Sequence, residues 1–177
     1  RFAERNGALR VLVMGGSQGA VALNELVPEA LSLLAGQMPI EIRHQAGKKN
    51  TEKAVAQYRG LGLKADVLPF IDDMAAMYGW ADLAICRSGA LTVSELAAAG
   101  VASVLIPYPF AVDDHQTANG RYLSDAGAAL LISQKELTAE KLARELQPLM
   151  NRDALLSMAR KARAKAQPES TDTVVAA

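Results

Sequence analysis

Apolar residues in this chain come in short blocks, separated by longer stretches in which apolar positions recur every three or four residues. Six blocks read as strands: "RVLVM" (10–14), "IEIRH" (40–44), "ADVLPF" (65–70), "DLAIC" (82–86), "SVLIP" (103–107) and "AALLI" (128–132). The stretches between them carry helical spacing, near 19–35, 50–60, 72–80, 91–99 and 115–126. Two more helical stretches follow, about 138–150 and 152–166. Strands that are apolar throughout are buried on both faces. A helix after each one indicates a parallel sheet with helices packed on both sides. The expected fold is α/β, a Rossmann-like doubly wound parallel sheet of about six strands. In such a sheet ligands lie beyond the carboxyl ends of the strands. The turns at 15–20, 44–50, 70–74, 86–95 and 107–119 are therefore the places to look for chemistry.

Composition narrows the choice. A chain of 177 residues, half of them apolar, supports one well-buried domain. Lys plus Arg and Asp plus Glu number 19 each, so no overall field favours nucleic acid. No apolar run reaches the roughly 20 residues that cross a bilayer. The single cysteine, Cys86, excludes an internal disulfide and suits a reducing compartment. The opening "RFAERNGALR" has neither an initiator Met nor a signal pattern and reads as a linker remnant over residues 1–9. The two histidines, His44 and His115, form no metal-binding pair, and no metal or cofactor is expected.

Four turns carry candidate groups. "MGGSQGA" (14–20) follows the first strand. Its glycines allow close backbone approach, and a helix opening there offers free N–H groups and partial positive charge to a pyrophosphate. The plainer reading is a tight turn with Ser17 as N-cap. A dinucleotide fingerprint is excluded, because Ser17 and Ala20 stand where its later glycines belong and the second strand ends in His44 and Gln45. A Walker A loop is excluded because no Gly-Lys-Ser/Thr triplet occurs. "CRSGALTVSE" (86–95) ends in a capping-box pattern, Thr92 at N-cap and Glu95 at N3. If the helix instead begins near Ala90, the Glu95 carboxylate lies past the cap and can accept ribose hydroxyls. Arg87 suits a phosphate or a surface salt bridge, and Cys86 reads as a small core residue. "PYPFAVDDHQTANG" (107–120) offers Asp113 and Asp114 as N-caps. In the same segment His115, Gln116 and Asn119 share one helical face, which suits sugar hydroxyls or solvent. "PFIDDM" (69–74) sets Phe70 and Ile71 beside an Asp72/Asp73 cap, either as punctuation or as a shelf for a flat base.

Together "GGSQGA", "FIDDM", "CRSGALTVSELAAAG" and "DDHQTANGRYL" resemble, in order and spacing, the MurG family. These transferases move N-acetylglucosamine from UDP-GlcNAc to the undecaprenyl-pyrophosphoryl-muramoyl-pentapeptide of peptidoglycan synthesis (lipid I to lipid II). The resemblance runs over about 10–167. It implies one half of a GT-B glycosyltransferase: a donor-binding domain over 10–167, a tail over 168–177, and an acceptor- and membrane-binding N-terminal domain outside this chain. It also implies UDP-GlcNAc contacts from Gly16, Ser17, Gln18, Ile71, Arg87, Ala90, Leu91, Thr92, Val93, Ser94, Glu95, His115 and Gln116. Ile71 would meet the uracil, Thr92 the phosphates, Glu95 the ribose and Gln116 the sugar. The family inverts the anomeric carbon, and its base lies in the other domain, so no catalytic residue is expected here. Lipid I would be met only through that domain. The full protein would sit on the cytoplasmic face of the bacterial inner membrane, and the fragment alone would be soluble. The alternatives are a donor subunit for another UDP-sugar or a non-enzymatic nucleotide-sugar module. The basic last helix, with Arg152, Arg160, Lys161, Arg163 and Lys165, is expected as a solvated face packing on the other domain.

Overall fold

The computed structural model describes residues 4–15, 20–110 and 112–167. All six expected strands form, as β1 (Leu9–Met14), β2 (Ile40–Gln45), β3 (Ala65–Leu68), β4 (Leu83–Cys86), β5 (Ala102–Leu105) and β6 (Ala129–Leu131). They make one parallel sheet in the order β3-β2-β1-β4-β5-β6. Seven helices accompany them among the described residues: α1 (Val21–Leu34), α2 (Thr51–Gly60), α3 (Met74–Trp80), α4 (Ala90–Ala99), α5 (His115–Ser124), α6 (Ala139–Leu146) and α7 (Arg152–Ala164). The chain builds outward from β1 to β3, then crosses back and builds the other way from β4. That reversal leaves a crevice beyond the carboxyl ends of β1 and β4, where Met14 lies in register with Cys86.

Strand alternation divides the interior in two. Leu9, Val11 and Val13 of β1 face a core closed by α1, α2 and α6, while Leu12 and Met14 face one closed by α3, α4 and α5. Helix α7 joins both, with Leu155 and Met158 in the first core and Ala162 in the second. Each fully buried Leu, Val or Ile in these layers contributes about 1.5–3 kcal/mol.

Helix ends follow local chemistry. Asp73 accepts the Ala76 N–H at the start of α3 (2.9 Å), Thr138 that of Lys141 in α6 (3.1 Å), and Asn151 those of Asp153 and Ala154 in α7. Helix α4 ends on Gly100 at φ 68°, a left-handed cap that glycine adopts freely. The stretch expected as one helix over 138–150 is broken after Leu146. Pro148 has no N–H to donate, so residues 147–149 tighten into a 3-10 turn.

The amino edge of the sheet holds a buried ion cluster. The Asp82 carboxylate is fully buried; it pairs with Arg5, accepts the Arg10 N–H at 3.0 Å and meets Arg152 at 3.3 Å. Arg152 also donates to the Gly7 and Ala8 carbonyls. Part of the segment read as a linker is thus docked, since Leu9 opens β1 and Arg5 is held on Asp82. Part of the basic helix is also engaged within the domain. Besides Arg152, Arg163 donates to the Ala98 carbonyl and Lys165 lies 4.3 Å over the Tyr122 ring, while Arg160 and Lys161 are exposed.

Candidate nucleotide-binding site

Helices α1 and α4 open at the crevice, and among the described residues neither start is capped. Their N-cap residues are Ala20 and Gly89, with no capping side chain and no acidic residue in either first turn. Helix α2 also lacks a capping side chain but carries Glu52, and α5 follows Asp113 and Asp114. Among the described residues, therefore, only at α1 and α4 do the free N–H groups and the positive dipole end meet no carboxylate of their own. This is the local condition for holding an anion. The alternative that Ser17 caps α1 is set aside, because the N-cap position falls on Ala20. Gly16, Ser17 and Gln18 themselves lie outside the described residues.

The capping-box reading of Glu95 is corrected in the same way. The helix begins at Ala90, so Thr92 stands at its third residue and Glu95 in its second turn, beyond reach of the cap. The Glu95 carboxylate is half-buried and accepts the Tyr78 hydroxyl at 2.7 Å. Among the described residues it has no cationic partner. Ala90, Leu91 and Ser94 are exposed and Thr92 is half-buried. Val93 differs, since its side chain is in the core and only its backbone can meet a ligand.

Arg87 projects from the end of β4. Its guanidinium donates to the Ile106 and Pro107 carbonyls at 3.2 and 3.3 Å and lies 5.6 Å from the Tyr108 ring. Burial lowers its pKa from the ordinary value, with Tyr108 opposing in part. The surface salt bridge considered for it does not form among the described residues, and a half-buried cation is left at the carboxyl edge of the sheet. Cys86 behaves as expected of a core residue: burial pushes its thiol up to about 12.

Helix α5 is tied to the same turn. The Ser88 hydroxyl donates to the Gln116 carbonyl (2.6 Å), and the Asn119 amide donates to the Ser88 carbonyl (3.1 Å). Gln116 Oε1 accepts the Tyr108 N–H at 2.9 Å, which leaves its Nε2 free to donate among the described residues. Asn119 is therefore a brace of the turn rather than an open sugar reader, and His115 is exposed. Asp113 and Asp114 both have φ 53°; Asp114 occupies the N-cap position but accepts the Thr117 hydroxyl instead of a backbone N–H. Ile71, half-buried, packs on the second core at the turn before α3, while Phe70 beside it is exposed.

Behind the first turn of α1 lies a buried polar chain. His44 is fully buried, with Nδ1 2.6 Å from the Tyr58 hydroxyl and Nε2 2.8 Å from Asn24 Oδ1. The Asn24 amide nitrogen donates to the Ala46 carbonyl at 2.9 Å, so its oxygen must accept from His44 Nε2–H. That leaves Nδ1 to accept the Tyr58 O–H, and burial holds this neutral imidazole down to about 4. The chain pins α1 to the end of β2. Nothing in the local sequence announces it, because its members are 14 and 20 residues apart.

Two grooves border the site. One of about 550 Å³ lies between α4, α5 and the end of α7 and shares Ala90, Val93 and Ser94 with the candidate segment. Another of about 460 Å³ lies beyond β5 and β6, beside Tyr108 and Thr117. Among the described residues no group of three or more His, Cys, Asp or Glu side chains could hold a metal ion.

Comparison with known proteins shows the family and the fold. The family model for the glycosyltransferase family 28 C-terminal domain matches residues 10–174. A UDP-N-acetylglucosamine–N-acetylmuramyl-(pentapeptide) pyrophosphoryl-undecaprenol N-acetylglucosamine transferase of Dechloromonas aromatica is 54% identical over 98% of the chain and 49% of its own length. The enzyme of that name from Cupriavidus metallidurans is 56% identical, over 98% of the chain and 49% of its length. The crystal structure of Acinetobacter baumannii MurG superposes with a TM-score of 0.92 at 49% identity, covering 98% of the chain and 50% of that structure. The calicheamicin glycosyltransferase CalG4, at 19% identity and a TM-score of 0.65 over 98% of the chain and 44% of its own, shares the fold. The chain spans about half the length of the curated relatives it matches.

Proposed function

The chain belongs to the glycosyltransferase family 28 C-terminal domains, and from that membership we propose that it is the UDP-GlcNAc-binding half of a GT-B transferase converting lipid I to lipid II. The observation that carries this reading is the pair of uncapped helix starts, α1 and α4, at the crevice between β1 and β4. A diphosphate satisfies both. The Glu95 carboxylate then takes the ribose hydroxyls, the Ile71 backbone meets the uracil edge, and Gln116 Nε2 donates to a sugar hydroxyl. His115, Leu91, Ala90, Ser94 and the backbone of Val93 line the approach, and the family resemblance assigns diphosphate contacts to Gly16, Ser17 and Gln18.

The division of labour follows from charge. As the sugar–phosphate bond breaks, negative charge grows on the departing UDP. Each helix N-terminus favours an anion by about 0.3–1 kcal/mol when exposed and up to ~2 kcal/mol when partly buried, and Arg87 adds a fixed cation. The acceptor hydroxyl attacks from the opposite side of the anomeric carbon and inverts it, with its proton taken by a base on the preceding domain. That domain also meets lipid I and the cytoplasmic face of the inner membrane. No helix among the described residues is long and apolar enough to cross a membrane.

Calorimetric titration of UDP-GlcNAc into the chain, with EDTA present and UDP-glucose as comparison, tests the reading. Saturable binding that prefers UDP-GlcNAc, without sugar transfer, is expected. Equal failure of both ligands here and in the full-length protein would refute it.

A further inference from the structure

The hydrogen bond between Tyr78 and Glu95 joins two elements that the nucleotide reading uses separately. Tyr78 lies on α3, in the unit that begins with Ile71 and is capped by Asp73. Its ring is buried in the second core, where Ile71 also packs, and only its hydroxyl reaches Glu95 on α4. A buried tyrosine hydroxyl needs some partner, and a serine or a carbonyl would serve. Here the partner is a half-buried carboxylate that has no cation among the described residues. A carboxylate not neutralised by a cation is open to the hydroxyls of a ligand. One donor on Oε2 fixes the carboxylate plane and leaves Oε1 to accept.

We propose that Tyr78 is a positioning residue for ribose recognition: it holds the Glu95 carboxylate in the orientation that accepts the ribose hydroxyls of a uridine nucleotide, and so couples the base-side turn at Ile71 to the sugar-side helix α4. The inference rests on the reading of Glu95 as the ribose acceptor. Tyr78 remains a donor throughout the working range. Its phenol is pushed well up by burial first, then by the bond to Glu95 and the neighbouring Cys86 and Glu95 charges.

Tyr78→Phe removes the hydroxyl and keeps the ring. Its test is the ratio of affinities for UDP and 2′,3′-dideoxy-UDP, measured by calorimetry on the full chain. In Tyr78→Phe, UDP binding is expected to weaken about 5- to 20-fold, a part of the roughly 10- to 150-fold that a hydrogen bond to a charged group is worth, while dideoxy-UDP binding stays within about twofold. Glu95→Ala is expected to abolish the ratio, and adding Tyr78→Phe to it should change nothing further. If Glu95→Ala leaves the ratio intact, the ribose reading falls and this inference with it. If Glu95→Ala collapses the ratio but Tyr78→Phe weakens both ligands equally or neither, the hydroxyl serves packing alone and only the positioning role is overturned.

Discussion

Acid should loosen this domain through His44. The imidazole is fully buried, donates from Nε2 to Asn24 and accepts at Nδ1 from Tyr58, so a second proton puts an unpaired charge in the core and forces the Tyr58 hydroxyl to turn from donor to acceptor. Burial places its folded pKa at about 4, against 6.5 in the unfolded chain. The folded state thus binds the proton less readily. Stability from this group is complete above about pH 6.5 and falls as pH drops towards 4. The full gap is worth about 3 kcal/mol, and about 2 kcal/mol of it is gone by pH 5. Urea unfolding at pH 7.5 and pH 5, in the wild type and in His44→Gln, isolates this contribution. The variant starts less stable, but its loss between the two pH values should be smaller by about 2 kcal/mol. Equal losses in both proteins would refute the neutral, doubly bonded imidazole. Because Asn24 stands in the first turn of α1, the same acid step should also weaken UDP binding.

Two further outcomes follow from the two edges of the sheet. Gly89 has φ −62° and ψ 151°, and a Cβ there would meet only Thr92 Oγ1, at 3.9 Å. Gly89→Asp should therefore cap α4, raise thermal stability by about 0.5–1 kcal/mol, and weaken UDP binding at least tenfold by placing a fixed carboxylate where the diphosphate belongs; tighter or unchanged binding would contradict the open-helix argument. At the opposite edge, Asp82→Ala leaves Arg5 and Arg152 without their shared carboxylate and should cost about 3–5 kcal/mol in denaturant unfolding. The UDP affinity of the folded fraction should not change.

The sheet was readable because its strands are buried on both sides. Runs such as "RVLVM" and "DLAIC" need no partner to declare themselves, and their ends differ from the structure by only one or two residues. Local chemistry explains the larger differences. Pro148, with no N–H to donate, falls where α6 gives way to a 3-10 turn, and the helix opening at Ala90 removes Thr92 from the cap that its spacing with Glu95 suggested. Candidate ligands were legible where they cluster in one turn, as in "CRSGALTVSE". The turns carrying Ile71 and Gln116 were singled out as candidates by their motifs alone.

By itself the sequence determined the fold class and the family, and it marked the turns that hold the candidate site, because apolar periodicity, glycine-rich turns and contiguous motifs are local properties. Tertiary structure alone decided the strand order, and with it that the turns after β1 and β4 are neighbours. It decided that α1 and α4 open without a carboxylate, and that the Glu95 carboxylate meets Tyr78 and not a helix cap. It also paired His44 with Tyr58 and Asn24, and Asp82 with Arg5 and Arg152. These pairings join residues from 14 to 77 positions apart, and only the packed sheet, which brings separate elements within hydrogen-bond distance, determines which of the many compatible partners is met.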